Sequence, residues 1–147
     1  MMEKKIKVLM VDDEARFREN TSKLLEKRGF DTTMAGTGEE AIAILQKQFH
    51  DVVIMDIKMP GMDGHAALAK VKEISADIQV IMLTGHGTPD SAKQARTHQA
   101  FDYLSKPCDI SILASRINDA YLTRANKTKE EKTARDIMIP IALYTSV

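Results

Sequence analysis

The chain has 147 residues, which suits one domain with a short extension, and its 44% hydrophobic and 29% charged content is an ordinary globular balance. Its 21 basic and 21 acidic residues cancel, which excludes the charge footprint of a nucleic-acid or anionic-membrane binder. The single cysteine, Cys108, excludes an intrachain disulfide and fits a reducing compartment.

Ile6–Val11 reads as a buried strand. It is too short for a signal peptide, and Asp12 and Asp13 follow it at once. No stretch approaches the ~20 apolar residues of a membrane helix, so a cytoplasmic protein with no membrane partner is expected. A helix is predicted over about Glu14–Arg28, with Phe17, Thr21, Leu24 and Leu25 facing inward and Gly29 as its stop. Asp31–Ala35 is a second strand. Thr37-x-x-Glu40 has the form of a capping box, opening a helix to about Gln48 with Ala41, Ile42, Leu45 and Phe49 inward. Asp51–Met55 is a third strand, and Met59–Gly64 a loop by its Pro and Gly content. A helix runs from about Gly64 to Ile74, and Gln79–Leu83 is the fourth strand. Thr88 followed by Pro89 starts a helix to about His98. Phe101–Leu104 is the fifth strand. Asp109 caps a last helix whose Ile110, Leu113, Ala114, Ile117, Ala120 and Tyr121 form a one-sided stripe. From Arg124 the chain turns highly charged and then, after Arg135, apolar. Residues 124–147 are therefore expected to be a charged helical linker and an apolar tail.

Five βα units in a row imply a parallel sheet with helices on both faces and right-handed crossovers. Function in such a sheet gathers at the carboxyl ends of the strands. Asp12 and Asp13 follow the first strand, Asp56 the third, Thr84 the fourth and Lys106 the fifth. Each residue has an ordinary reading. An Asp can cap a helix or end a strand, Thr is at home in strands, and a Lys can be a solvated charge. Taken together they make a coherent site. Crowded carboxylates call for a divalent cation, and hard oxygen ligands suit Mg²⁺. A rigid carboxylate can attack phosphorus, with cation and ammonium neutralising the charge and the threonine donating to a phosphoryl oxygen.

The order VDDE, DIKMPGMDG, LTGHG and DYLSKP resembles the response-regulator receiver family over about residues 5–122. The resemblance implies a receiver domain over residues 1–123 with a flavodoxin-like, doubly wound (βα)5 parallel sheet of strand order 2-1-3-4-5. It implies a phosphorylation-dependent signalling switch in a two-component system. Asp56 would accept a phosphoryl group from a histidine kinase or phosphotransfer protein. Mg²⁺ would be held by Asp12, Asp13, Asp56 and the backbone carbonyl of Lys58. Thr84 and Lys106 would grip the phosphoryl group, and Thr84 with Tyr103 would form the switch. Lys106-Pro107 would be cis. Such a domain catalyses only its own phosphorylation and dephosphorylation, and can form a homodimer through its fourth helix, fifth strand and fifth helix.

Tyr103 can also be read as simple core, with its alternation partner Phe101 expected on the same side. His86 and Lys58 stand near the pocket mouth, as tuners of hydrolysis or as solvated residues. His50, His65, His86 and His98 are not at metal spacing, and Cys108 reads as inert packing. The chain departs from the family where Gly-Ala often precedes the fifth strand; here Gln99-Ala100 stands.

Three rivals share parts of this pattern. A flavodoxin-like nucleotide binder needs a Gly/Ser/Thr-rich phosphate loop after the first strand, where VDDEAR stands instead. A haloacid-dehalogenase-type phosphatase needs a second acid two residues past its nucleophile, but Lys58 follows Asp56 at that spacing and Glu14 follows Asp12. A pseudo-receiver would not keep the full set of acids, hydroxyl and lysine. In the tail, Asp136-Ile137-Met138-Ile139-Pro140 resembles the opening of a CBS domain, the start of an output domain. An apolar segment docking on the receiver or a partner is the alternative.

Overall fold

The computed structural model describes residues 4–126; the expected apolar tail and its CBS-like run lie outside the described residues. The elements are β1 (Lys7–Val11), α1 (Ala15–Lys27), β2 (Asp31–Ala35), α2 (Gly38–Lys47), β3 (Val52–Met55), α3 (Gly64–Ile74), β4 (Gln79–Thr84), α4 (Pro89–Thr97) and β5 (Asp102–Ser105). A final helix, α5, covers 110–126. The strands form one sheet in the order β2-β1-β3-β4-β5 with every pairing parallel, as the resemblance implies.

The sheet is buried on both faces, so its strands are unbroken apolar runs whose alternate residues serve different cores. Leu9, Val11, Val53, Met55, Val80 and Met82 point to one side, against Ala41, Leu45, Leu68, Val71 and Ala95 of α2, α3 and α4. Val8, Met10, Val52, Ile54, Ile81 and Leu83 point to the other, against Leu25 of α1 and Leu113, Ile117 and Ala120 of α5. Burying each side chain of this size contributes about 1.5–3 kcal/mol before entropy is counted.

The caps follow local chemistry. The side chains of Thr37, Asp63 and Thr88 accept from Glu40 N, Ala66 N and Ser91 N at 3.0, 2.9 and 3.1 Å. The expected capping box is only half formed, because Glu40 reaches back to Gly36 N at 3.0 Å rather than to Thr37.

Three expectations of how side chains face turn out otherwise. Leu24 is 44% exposed, because Thr21, Ser22 and Leu25 take the inner stripe of α1. Phe49 is 49% exposed, because α2 ends at Lys47 and its periodicity ends with it. Phe101 precedes β5 and packs with the α1 and α5 core, whereas Tyr103 packs with the opposite one, so the two do not share a side. Arg124, the first residue of the expected linker, still contacts the sheet domain. Its guanidinium lies 3.3 Å from Asp51 Oδ1 and 4.6 Å from the Phe49 ring centroid. Among the described residues no helix is long and apolar enough to cross a membrane.

Candidate functional site

Main-chain bonds that continue past the strands lock the site's backbone. Asp12 N donates to Ala35 O at 3.1 Å, Asp56 N to Val11 O at 3.0 Å, and Lys106 N to Thr84 O at 2.9 Å. Asp12, Asp56, Thr84 and Lys106 are thus each fixed within one residue of a strand end. The sharp return after Asp56 needs Gly64. Its N–H donates to Ile57 O at 2.7 Å, and a Cβ there would overlap the Asp56 carbonyl oxygen and Ile57 Cα.

Four of the five side chains, those of Asp12, Asp13, Asp56 and Lys106, converge as expected. Asp12 is fully buried; its Oδ1 accepts from Glu14 N at 2.9 Å and its Oδ2 from Lys106 Nζ at 2.7 Å. The same ammonium lies 3.6 Å from Asp56 Oδ2 and 3.7 Å from Glu14 Oε1, and 4.1 Å from the centroid of the Phe17 ring. Asp56 Oδ1 accepts from Ile57 N at 2.7 Å. Asp12, Asp13 and Asp56 each bring a carboxylate oxygen to within 4.8 Å of the others. Two of these acids are buried and Asp13 is exposed, so the cluster opens to water on one side. That donor set fits Mg²⁺, a hard cation that takes a few carboxylates and keeps several waters. Lys58 is exposed and lines, with Asp13, Met59, Pro60 and Asp63, an open groove of about 560 Å³ beside the cluster. A groove of similar size, about 600 Å³, lies at the opposite end of the sheet by Ile6 and Phe30, away from these acids.

Burial holds the Asp12 carboxyl above the usual carboxylate value; the hydrogen bonds from Lys106 and Glu14 N oppose this and the neighbouring Asp56 adds to it. Burial also works against the charge of Lys106, but its hydrogen bond to Asp12 and the surrounding carboxylates outweigh it. The ammonium is held above the ordinary lysine value.

Thr84 is fully buried, and its Oγ1 accepts from His86 N at 3.1 Å, which leaves its own proton to donate. Tyr103 is half-buried, with its hydroxyl buried and without a hydrogen-bond partner among the described residues. It lies so near Gly87 that a Cβ there would stand 3.2 Å from the tyrosine oxygen. The ring already stands inward, against the loop that Thr84 begins. Lys106-Pro107 is cis. Three residues that position this site were not singled out for it in the sequence. They are Gly64, Phe17, and Arg18, whose Nη1 donates to Asp12 O at 2.8 Å. The helical spacing that put Phe17 on the inner face of α1 also put it one turn from the acidic pair, and that was the available signal.

Comparison with known proteins agrees with this geometry. A family model for the response regulator receiver domain matches residues 8–118. The chain is 32% identical over 120 residues to sporulation initiation phosphotransferase F of Bacillus subtilis, covering 82% of this chain and 97% of that protein. It is 34% identical over 122 residues to the luminescence regulatory protein LuxO of Vibrio campbellii, covering 83% of this chain but spanning only 27% of that relative's length. The crystal structure of a response regulator receiver domain protein from Clostridium thermocellum superposes with a TM-score of 0.78 at 37% identity, covering 82% of this chain and 97% of that one. On fold, acidic cluster and sequence together, the chain belongs to the response regulator receiver domain family, the phosphorylation-dependent switches of two-component signalling.

Proposed function

We propose that Asp56 is the phosphoryl acceptor of this receiver and that Asp12, Asp13, Asp56 and the Lys58 carbonyl hold the Mg²⁺ it needs. The observation that carries this reading is the single ammonium of Lys106 set between Asp12 Oδ2 and Asp56 Oδ2, at 2.7 and 3.6 Å, beside an opening to water. Bound Mg²⁺ would supply Lewis-acid neutralisation of phosphoryl oxygens. An Asp56 carboxylate oxygen attacks phosphorus as the donor's P–N bond breaks, or its P–O bond for an acyl phosphate. The departing group leaves with its electron pair, an imidazole then taking its proton from solvent. Lys106 stands ready to pair with the oxygens the phosphoryl group brings, and the Thr84 proton is free to donate to one of them. In this reading the domain catalyses only its own phosphorylation and dephosphorylation.

The donor class is a phosphohistidine of a kinase or phosphotransfer protein in the cytoplasm. The name of the Bacillus subtilis relative supports a place in a phosphotransfer chain. Because Thr84 Oγ1 is tied to His86 N, its movement toward a phosphoryl group draws the β4–α4 loop with it, against which Tyr103 rests. The readout surface is then α4-β5-α5, the face on which a homodimer would form; Arg116 is bonded there to Asp102 and Asp119, and Ile112 is 53% exposed.

Incubation with acetyl phosphate and Mg²⁺, read by intact mass, tests the centre of this. Wild type should gain one phosphoryl group and Asp56→Asn none; equal labelling of both would remove Asp56 from the role.

A further inference from the structure

Lys106 carries a long, freely rotating side chain, so what fixes its ammonium matters as much as its charge. Three carboxylates and one aromatic ring surround it: Asp12 at 2.7 Å, Asp56 at 3.6 Å, Glu14 at 3.7 Å and the Phe17 centroid at 4.1 Å. Asp12 and Asp56 belong to the metal-binding set, and a cation shared between them weakens their hold on a second positive charge. Glu14 is 68% exposed at its side chain and is screened by water. The face of the Phe17 ring is different. It attracts an ammonium through its quadrupole and offers nothing to a hard cation that takes oxygen ligands. The ring is also held firmly: Phe17 sits in the first turn of α1 and packs on the core shared with α5.

We propose that Phe17 is a positioning residue for the phosphorylation reaction, its ring holding the Lys106 ammonium over Asp56 when Asp12 and Asp56 are engaged by metal. This rests on the reading of Asp56 as acceptor and Lys106 as its partner. Phe17 touches no reacting atom and acts only through the lysine. Phe17→Leu keeps the apolar bulk and removes the quadrupole; Phe17→Tyr keeps both.

Two measurements on the full chain test it, with saturating Mg²⁺ in each. In the first, acetyl phosphate phosphorylation should be about tenfold slower in Phe17→Leu, within the range of a part-buried cation–π contact, and near wild type in Phe17→Tyr. Mg²⁺ affinity should be unchanged in both variants, because no metal ligand is altered. In the second, the Lys106 methylene next to the ammonium should resonate upfield of other lysines by ring current, in wild type and Phe17→Tyr but not in Phe17→Leu. A wild-type rate in Phe17→Leu, or a Lys106 resonance that does not depend on the ring, overturns the proposal. If Phe17→Leu does not fold, Phe17→Met takes its place under the same two criteria. Failure of the underlying reading looks different: Lys106→Ala would then be phosphorylated as fast as wild type, or Asp56→Asn would be labelled.

Discussion

In the proposed function Thr84 serves chemistry and signal together. It is fully buried at the end of β4, and its hydroxyl accepts from the His86 N–H at 3.1 Å while keeping a proton to give. Thr84→Ala removes the hydroxyl proposed to donate to the phosphoryl group and orphans the His86 N–H. The metal cluster and Lys106 remain, so Asp56 should still be labelled by acetyl phosphate. The change in partner affinity or oligomeric state on phosphorylation should be lost, and an unchanged response on size exclusion would rule out this route. Asp13→Ala makes the opposite separation. It removes the exposed carboxylate of the proposed Mg²⁺ site, so Mg²⁺ titration and phosphorylation should fail together; normal Mg²⁺ binding would reduce Asp13 to a bystander. Asp12, Asp13, Asp56 and Lys106 were legible as a cluster in the sequence because strand carboxyl ends converge, and the same rule sets Thr84 at the end of β4, where its carbonyl oxygen accepts from Lys106 N at 2.9 Å. Gly64 and Phe17 were not. The first matters through a Cβ it lacks, and the second reads as core by its spacing.

Two helices end on the same hydrogen-bond motif with different residues in its critical position. After α1, Gly29 N donates to Glu26 O and Phe30 N to Leu25 O, at 3.0 and 3.2 Å, with Gly29 at φ 92°. After α4, Gln99 N donates to Arg96 O and Ala100 N to Ala95 O, at 3.0 and 2.9 Å, with Gln99 at φ 67°. Both are Schellman ends, which want a residue without a Cβ at the left-handed position. Gln99 is where the family often has Gly, and it carries about 1–2 kcal/mol of left-handed strain. Gln99→Gly should raise the urea midpoint by the equivalent of about 1 kcal/mol, and Gly29→Gln should lower it by a similar amount. A destabilised Gln99→Gly would mean that the glutamine side chain contributes more than its backbone costs. Element existence was legible from apolar runs and caps, and β2 and α3 match their expected limits. Ends shifted by a residue where side-chain and main-chain bonds mix, as at Asp51, whose N–H still donates to Lys7 O at 2.9 Å. It precedes β3, and its Oδ2 accepts from Lys7 N at 2.9 Å. The half-formed box at Glu40 and the half-exposed Phe49 failed for a related reason: spacing along the chain does not say which backbone group or neighbour a side chain will reach.

Across the whole molecule, two buried imidazoles link the fold to pH. His50 is 3% exposed at the amino end of β3, with its Nδ1 3.3 Å from Gln48 O and with Lys7, Asp31 and Asp51 as its charged neighbours. His65 is 8% exposed and ties α3 to α4 through a 2.8 Å contact of Nε2 with Ser91 Oγ; its Nδ1 is buried without a hydrogen-bond partner among the described residues, and Asp63 and His98 face it. Burial holds both pKa values below the ordinary 6.5, and the nearby carboxylates only partly offset it. The native state therefore keeps these rings neutral at a pH where the unfolded chain already takes up protons. More protons bound in the unfolded state means that stability rises with pH. The contribution is fully present above 6.5 and is lost as the pH falls below that value towards the depressed native ones. Glu39 and Asp109 are held below their ordinary values by hydrogen bonds, first from Glu39's own N–H and from the Ser111 hydroxyl respectively, so their contribution fades only at more acid pH. Asp12, held above its ordinary value, has the opposite sign. The thermal midpoint, measured without Mg²⁺, should be flat from pH 8 to 7 and fall from pH 6.5 to 5. The double variant His50→Asn, His65→Gln keeps Asp12, Glu39 and Asp109, so its difference from wild type isolates the two imidazoles. Its curve should lose most of the slope in that window. If the double variant falls as steeply as wild type, the acid sensitivity of the fold belongs to the carboxylates and not to the buried histidines.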